Sequence, residues 1–276
     1  MKKKKIWGHT LVKNEGRYIY FALTSVIDFL DRILVWDTGS TDDTVKIIKH
    51  LQKKYPQKIE FREIGSVDPK GLTEARQKML QKTQSDWFMI VDGDEVWWRK
   101  SMQQTIHVIG DKGNSLYAMV HPVINLIGDI YHFQEESAGK YQMLGKKGHL
   151  NIRAINRRIP GLHIKNSYPL EGFYDKSERL IQEMDEKLAF INEHLMHFTH
   201  LNRSSKGKSR KIKYELGLPL PKDFIYPEVL HFDFPSIVPT PWLKRSAKYI
   251  ARAAIETPLK KMKRRLKWSV PYAKMN

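Results

Sequence analysis

Polar and apolar positions along this chain fall into two regimes. Over residues 6–91, short apolar runs alternate with stretches of helical spacing. Residues 6–12, 33–36, 59–64 and 87–91 are runs of strand length. Between them, residues 17–30 carry Tyr18, Phe21, Ala22, Val26, Phe29 and Leu30 at helical spacing, and residues 42–53 place Val45, Ile48 and Leu51 on one face. A third helix is predicted over 72–81. Ser40 or Thr41 is the expected cap of the second helix. Alternation of this kind predicts a Rossmann-like, three-layer α/β sandwich with a mostly parallel central sheet.

From residue 116 the pattern changes. Strands of mixed polarity are predicted over 116–127, 130–133 and 149–156, with a mobile loop around Gly139, Gly145 and Gly148. Residues 188–201 join an apolar run to three histidines, and 208–216 read as a short basic helix. Six of the thirteen prolines lie within 217–241, which predicts a linker or an extended wrap. Residues 242–255 read as a basic amphipathic helix that 259–268 continue. The expected organisation is therefore one α/β domain over 1–216, a proline-rich segment over 217–241 and a basic helical tail over 242–276.

Composition narrows this picture. A chain of 276 residues with 41% hydrophobic and 11% aromatic content can bury a full core. It has no cysteine, which excludes disulfides and thiolate metal sites. No apolar run approaches the ~20 residues of a membrane-spanning helix. The lysines at the start are not followed by a signal-peptide core. The expected location is cytoplasmic. The net charge is +18, and +10 of it falls in the last 34 residues, with eleven Lys/Arg against Glu256. Six more Lys/Arg stand between Arg203 and Lys213. Such clusters attract polyanions: nucleic acid, an anionic membrane or a phosphorylated substrate. Trp242, Tyr249, Ile250 and Trp268 interleave with the tail's cations. That is the composition of an interfacial helix, and it points to the inner face of a membrane.

The candidate chemistry sits at strand ends. In open parallel sheets, ligands bind beyond the carboxyl ends of the strands. Asn14-Glu15, Asp37 and Asp92-Gly93-Asp94 all fall there, so three segments converge on one edge. Carboxylates two apart at a strand end can aim oxygens at one hard cation, and Gly93 is expected to permit a tight turn between them. Taken alone, such a pair is more often an acidic turn that closes a strand. His194, His197 and His200 cannot all be ligands from one strand, because 197 faces away from the other two.

Leu11-Val12-Lys13-Asn14-Glu15, then the long string from Val35-Trp36-Asp37-Thr38-Gly39-Ser40-Thr41-Asp42-Asp43 to Thr44-Val45, then Val91-Asp92-Gly93-Asp94-Glu95, resemble the family-2 glycosyltransferases of the GT-A fold. The resemblance implies transfer of a sugar from a nucleotide-sugar donor, a UDP-sugar first among them. The acceptor would be a glycan, a lipid-linked saccharide or a phosphorylated saccharide, and the cofactor a divalent metal, Mn2+ or Mg2+. By the same resemblance Asn14, Glu15, Asp37, Arg76 and Asp92 would line the donor nucleotide. Asp94, with Asp92 and His197, would hold the metal. Ala75-Arg76 is similar to the family's Ala-Arg-Asn, with Gln77 in place of asparagine. The stretch 151–171, from Asn151-Ile152-Arg153 to Glu171, is similar to a second family pattern and puts Glu171 at the catalytic base of an inverting transfer, with Leu170 where a histidine is usual. Glu135, Glu136 and Asp129 are the reserve bases. Trp97 and Trp98 would pack beneath the site or stack on a sugar. Two other readings remain open: a non-catalytic polyanion or nucleic-acid binder on the same scaffold, and a nucleotidyltransferase.

Overall fold

The structure is a computed structural model and describes residues 3–201 and 212–268. The first half builds β1 (Ile6–Val12), α1 (Ile19–Val26), β2 (Arg32–Asp37), α2 (Thr44–Lys54), β3 (Ile59–Glu63), α3 (Pro69–Lys82) and β4 (Trp87–Ile90). β5 (Glu95–Trp97) and α4 (Arg99–Lys112) follow, then β6 (Ala118–Ile127), β7 (Asp129–Phe133), β8 (Tyr141–Met143), β9 (Lys146–Gly148) and β10 (Leu150–Asn156). β11 (His163–Lys165), β12 (Gly172–Tyr174), β13 (Leu188–Phe190), β14 (Leu195–His200), β15 (Leu218–Pro219) and α5 (Ala247–Trp268) complete it.

The main sheet runs β15-β7-β6-β10-β4-β1-β2-β3. β1, β2, β3 and β4 are parallel, and β10 pairs antiparallel with both β4 and β6. The chain proceeds outward from β1 to β2 and β3, then returns to place β4 on the other side of β1. That reversal opens a crevice at the carboxyl ends of β1 and β4, where open α/β sheets bind ligands.

The apolar runs of β1, β2 and β4 are continuous because these strands are covered on both faces, whereas the edge strand β3 is partly exposed. Ile33, Val35, Trp87 and Met89 pack with side chains of α1, α2 and α4. Leu34 and Trp36 pack with Ala75 and Met79 of α3, while Phe88 and Ile90 pack with Leu80. Three layers result. Burial of this kind is worth about 1.5–3 kcal/mol for each large apolar side chain.

Several expectations are corrected at the level of elements. α2 is not capped by Ser40 or Thr41. Asp42 instead accepts from the backbone N–H of Thr44 at 3.0 Å, and the Ser40 hydroxyl turns back to Asp37. The glycine-rich stretch forms a hairpin of β8 and β9. Residues 212–216 are not helical, and 208–211 lie outside the described residues. The C-terminal helix starts at Ala247 and runs unbroken through Pro258. The proline-rich segment lies on the body: β15 pairs with β7, and Leu230 and Val238 are buried in the core. Among the described residues no helix is long and apolar enough to cross a membrane.

Candidate active site

Two loops at the carboxyl ends of β1 and β2 lock together. Val12 and Asp37 are register partners, so the loops leave the sheet side by side. The backbone N–H of Asn14 donates to the Ser40 hydroxyl at 2.8 Å, that of Glu15 to Thr44 Oγ1 at 2.8 Å, and that of Gly16 to Asp42 at 3.0 Å. Asn14 Oδ1 accepts from the N–H of Thr41 at 2.7 Å. Asn14 adopts φ 54°, a left-handed backbone that asparagine tolerates better than most residues. Asp37 is buried, and one carboxylate oxygen accepts from the N–H groups of Gly39 and Ser40, each at 2.9 Å. The hydroxyl- and acid-rich string 37–44 thus satisfies the loop's own backbone and fixes the mouth of the crevice.

β4 ends at the acidic motif. Gly93 is not among the glycines with positive φ, so a special turn is not what it supplies. A Cβ there would stand 3.2 Å from Glu15 Cβ and Cγ and from Val12 Cγ2. Gly93 allows a close approach, in which the acidic motif packs directly on the first loop. The buried Glu15 is held in that contact.

Asp94 and His197 come together. β14 pairs antiparallel with β5, with His197 opposite Glu95 and next to an irregularity before His200. His197 Nε2 lies 3.0 Å from Asp94 Oδ2, and Nδ1 lies 3.1 Å from Asn125 Oδ1. Both ring nitrogens face oxygens, so the imidazolium satisfies the site, with Nε2–H donating to Asp94 and Nδ1–H to Asn125 Oδ1. Burial disfavours the imidazolium. The charge and hydrogen bond of Asp94, aided by Glu95, outweigh it and raise the His197 pKa above the ordinary value. His194 and His200 are not part of this pair. The carbonyl of His194 accepts from Ser101, and His200 lies beside Lys213, Nε2 to Nζ 3.5 Å.

Arg153 is the organising cation, and the sequence reading assigned it no role. Register places an extra residue at Arg153 in β10, since Val120 pairs with Ile152 and Met119 with Ala154. Bulges re-aim side chains beside functional sites. Here the guanidinium meets Glu95 Oε2 through Nε at 2.6 Å and Asp92 Oδ2 through Nη2 at 2.9 Å. Glu95 is fully buried, which pushes its carboxyl pKa up even though Arg153 pulls it down. Asp92 is therefore turned to arginines: Arg153 on one side and Arg76 Nη2 at 3.9 Å on the other.

Arg76 also reaches Glu171, Nε to Oε1 3.7 Å. α3 clamps the Glu171 loop in place. Gln77 Oε1 accepts from the N–H of Ile164 at 2.9 Å, and Thr73 donates to the carbonyl of Asn166 at 2.8 Å. Gln77, the departure from the family string, thus holds β11 rather than a ligand. Glu171 Oε2 is buried and has no hydrogen-bond partner among the described residues. The reserve bases are less suited. Asp129 is held by His132 at 2.6 Å, and Glu135 pairs with Lys261 of α5. Trp97 is buried edge-on to His121, and Trp98 donates to the carbonyl of Ile225 at 2.9 Å, so both indoles serve packing.

The sequence model of "Glycosyl transferase family 2" matches residues 10–167. The chain belongs to this family. Its α/β sheet is the GT-A arrangement expected from the motifs. The glycosyltransferase SunS of the Bacillus subtilis SPbeta prophage is 25% identical over 197 residues, covering 67% of this chain and 44% of SunS. An uncharacterized glycosyltransferase of Rickettsia felis is 33% identical over 106 residues, 38% of this chain and 34% of that protein. The chain spans less than half the length of these relatives. Among solved structures, TarS of S. aureus in complex with UDP-GlcNAc is similar with a TM-score of 0.49 and 14% identity, covering 72% of this chain and 59% of that chain. The matched residues include all the acidic-motif and arginine positions. Glu171 and His197 lie beyond them.

Asp94 and His197 are the residues that could hold a divalent ion, and their 3.0 Å contact is also a hydrogen-bonding distance. Neighbouring ligands on an octahedral ion at about 2.0–2.1 Å stand about 3 Å apart, which is the separation of these two donors. Among the described residues no group of three His, Asp or Glu is placed to hold an ion. Of the expected trio of Asp92, Asp94 and His197, Asp92 instead accepts from Arg153 at 2.9 Å. Magnesium-type sites often use one or two protein ligands and take the rest from phosphates and water.

Proposed function

We propose that this chain transfers a sugar from a nucleoside diphosphate sugar to an acceptor nucleophile, with inversion at the anomeric carbon. The observation that carries the reading is Arg76, which touches both Asp92 and Glu171 and so sets a carboxylate with an unpartnered oxygen on the same edge as Asp94 and His197. The donor's ribose and base would lie over Asn14, Glu15 and Asp37, with Asp92 and Arg76 toward the ribose and phosphates. The acceptor's nucleophilic atom attacks the anomeric carbon while the bond from that carbon to the diphosphate oxygen breaks, and the bonding pair leaves with the diphosphate. Glu171 takes the proton of the acceptor through Oε2. Asp94 and His197 would hold Mn2+ or Mg2+, which when bound offsets the charge of the departing diphosphate. Arg76 adds a positive charge on the same side. Among glycan, lipid-linked and phosphorylated saccharide acceptors, the chain's positive charge favours those that carry phosphate.

The test is a screen of nucleotide sugars with Mn2+, uridine nucleotides first, followed by mass analysis. Release of the nucleoside diphosphate and gain of one sugar mass by acceptor or water supports the reading. Release of pyrophosphate, with the nucleotide attached to the product, would show a nucleotidyltransferase instead.

A further inference from the structure

α5 has two opposed faces, and only one of them is used by the body. Ala253 and Thr257 are buried, and the half-buried Lys260 and Arg264 continue the same side. Arg264 meets both oxygens of the buried Glu215, each at 2.7 Å. Lys260 donates to the carbonyl of Tyr214 at 2.6 Å, and the N–H of Leu216 donates to Thr257 at 2.9 Å. Tyr249 lies against Gly128, where a Cβ would stand 2.6 Å from the ring. The helix is thus fixed to the domain with its register set.

The opposite side is apolar and open. Ile255, Leu259 and Met262 are spaced four and three residues apart, which places them on one stripe. They are 72%, 58% and 57% exposed. Exposed Ala251 and Pro258 extend the stripe. Lys248 stands in line with it two turns before Ile255; Arg252, paired with Glu256, and Lys263 flank it on one edge, and Lys261, paired with Glu135, and Arg265 on the other. A helix docked by one face ordinarily shows polar residues on the other. Here the outward face instead repeats the design of a helix that lies in a membrane interface, with apolar side chains at the centre and long cations at the margins.

We infer that α5 is a membrane-docking element which lies flat on an anionic lipid surface, inserting Ile255, Leu259 and Met262 while Lys248, Lys263 and Arg265 meet lipid phosphates. The charge chooses the occupant: a stripe framed by cations on both edges suits an anionic bilayer better than a second copy of the same cationic helix, which would repel it. The inference rests on the helix alone and is independent of the sugar-transfer reading.

The test uses the full chain and flotation with vesicles of phosphatidylcholine, alone or mixed with phosphatidylglycerol. The wild type should float with the mixed vesicles, weaken with added salt, and leave pure phosphatidylcholine largely unbound. The exposed triple variant Ile255→Ser, Leu259→Ser, Met262→Ser should bind mixed vesicles at least about tenfold more weakly with unchanged thermal unfolding. The charge variant Lys248→Glu, Lys263→Glu, Arg265→Glu should lose binding as well. Three results would each overturn the inference. One is no flotation of the wild type at low salt. Another is equal flotation of wild type and apolar variant, which would mark a charge-only polyanion surface. The last is a wild-type dimer that the apolar variant converts to monomer without any vesicle binding.

Discussion

His197 Nε2 stands 3.0 Å from Asp94 Oδ2, although the two residues are about a hundred positions apart in the chain. β14 achieves this by pairing with β5 directly after the acidic motif. If the pair holds a divalent ion, proton and metal compete for Nε2. The His197 pKa is raised, so the competing proton is still bound above the ordinary histidine range. Metal affinity should therefore weaken as pH falls from 8 to 6, as followed by electron paramagnetic resonance of free Mn2+. His197→Gln should bind more weakly and lose most of that pH dependence. Asn125→Ala should also weaken Mn2+ binding, because it removes the acceptor that fixes the ring.

Arg153 and Glu95 form a buried ion pair. Removing one partner of such a pair costs about 3–5 kcal/mol, whereas replacing both by apolar groups is often near neutral. Arg153→Leu should lose stability in urea by roughly that amount, and Glu95→Leu added to it should restore much of the loss. Additive losses would show that the two side chains act separately.

Glu171→Gln should lower kcat by on the order of 100-fold or more while leaving nucleoside diphosphate affinity nearly unchanged. Steady-state rates with and without acceptor, alongside direct binding, check this. An equal loss in binding would make Glu171 a donor-positioning residue through Arg76 rather than a base.

Two buried histidines govern acid stability. Burial, with minor help from nearby arginines, pushes the pKa of His9 and of His121 down to about 3. The unfolded chain binds these protons near pH 6.5 and the folded chain does not. Their contribution is therefore present above pH 6.5 and is lost as pH falls through the range 6.5 to 3. Between pH 6.5 and 5 each should cost about 2 kcal/mol. Urea unfolding at both pH values should show the drop, and His121→Asn should reduce the slope by close to one proton.

β1, β2 and β4 were legible because their apolar runs are buried on two faces, and α2 and α3 because each carries a one-sided stripe; α1 is buried nearly all round and β3 is a half-exposed edge strand. Convergence of Asn14, Asp37 and Asp92 on one edge followed from chain order. What the sequence could not show was how polar groups would be shared. Asp37 and Asn14 spend hydrogen bonds on their own loops, and Asp92 turns to Arg153 rather than to Asp94. Those outcomes depend on the extra residue in β10 and on the pairing of β14, which are long-range events without a local pattern. Gly93 was read as a turn residue, but its constraint is the side chain of Glu15. α5 was legible as basic and amphipathic, yet its start depends on Tyr249 packing against Gly128. Glu95 beside a strand-borne arginine was the one available hint of the buried pair.

In the proposed reaction Asp94 and His197 would hold a divalent ion that strengthens binding of the donor diphosphate. Isothermal calorimetry of uridine diphosphate binding, with and without Mn2+, tests it most directly when wild type and Asp94→Asn are compared. Mn2+ should strengthen binding to the wild type at least about tenfold, and Asp94→Asn should abolish the gain. Binding that is indifferent to Mn2+, or equally strengthened by it in Asp94→Asn, would contradict it.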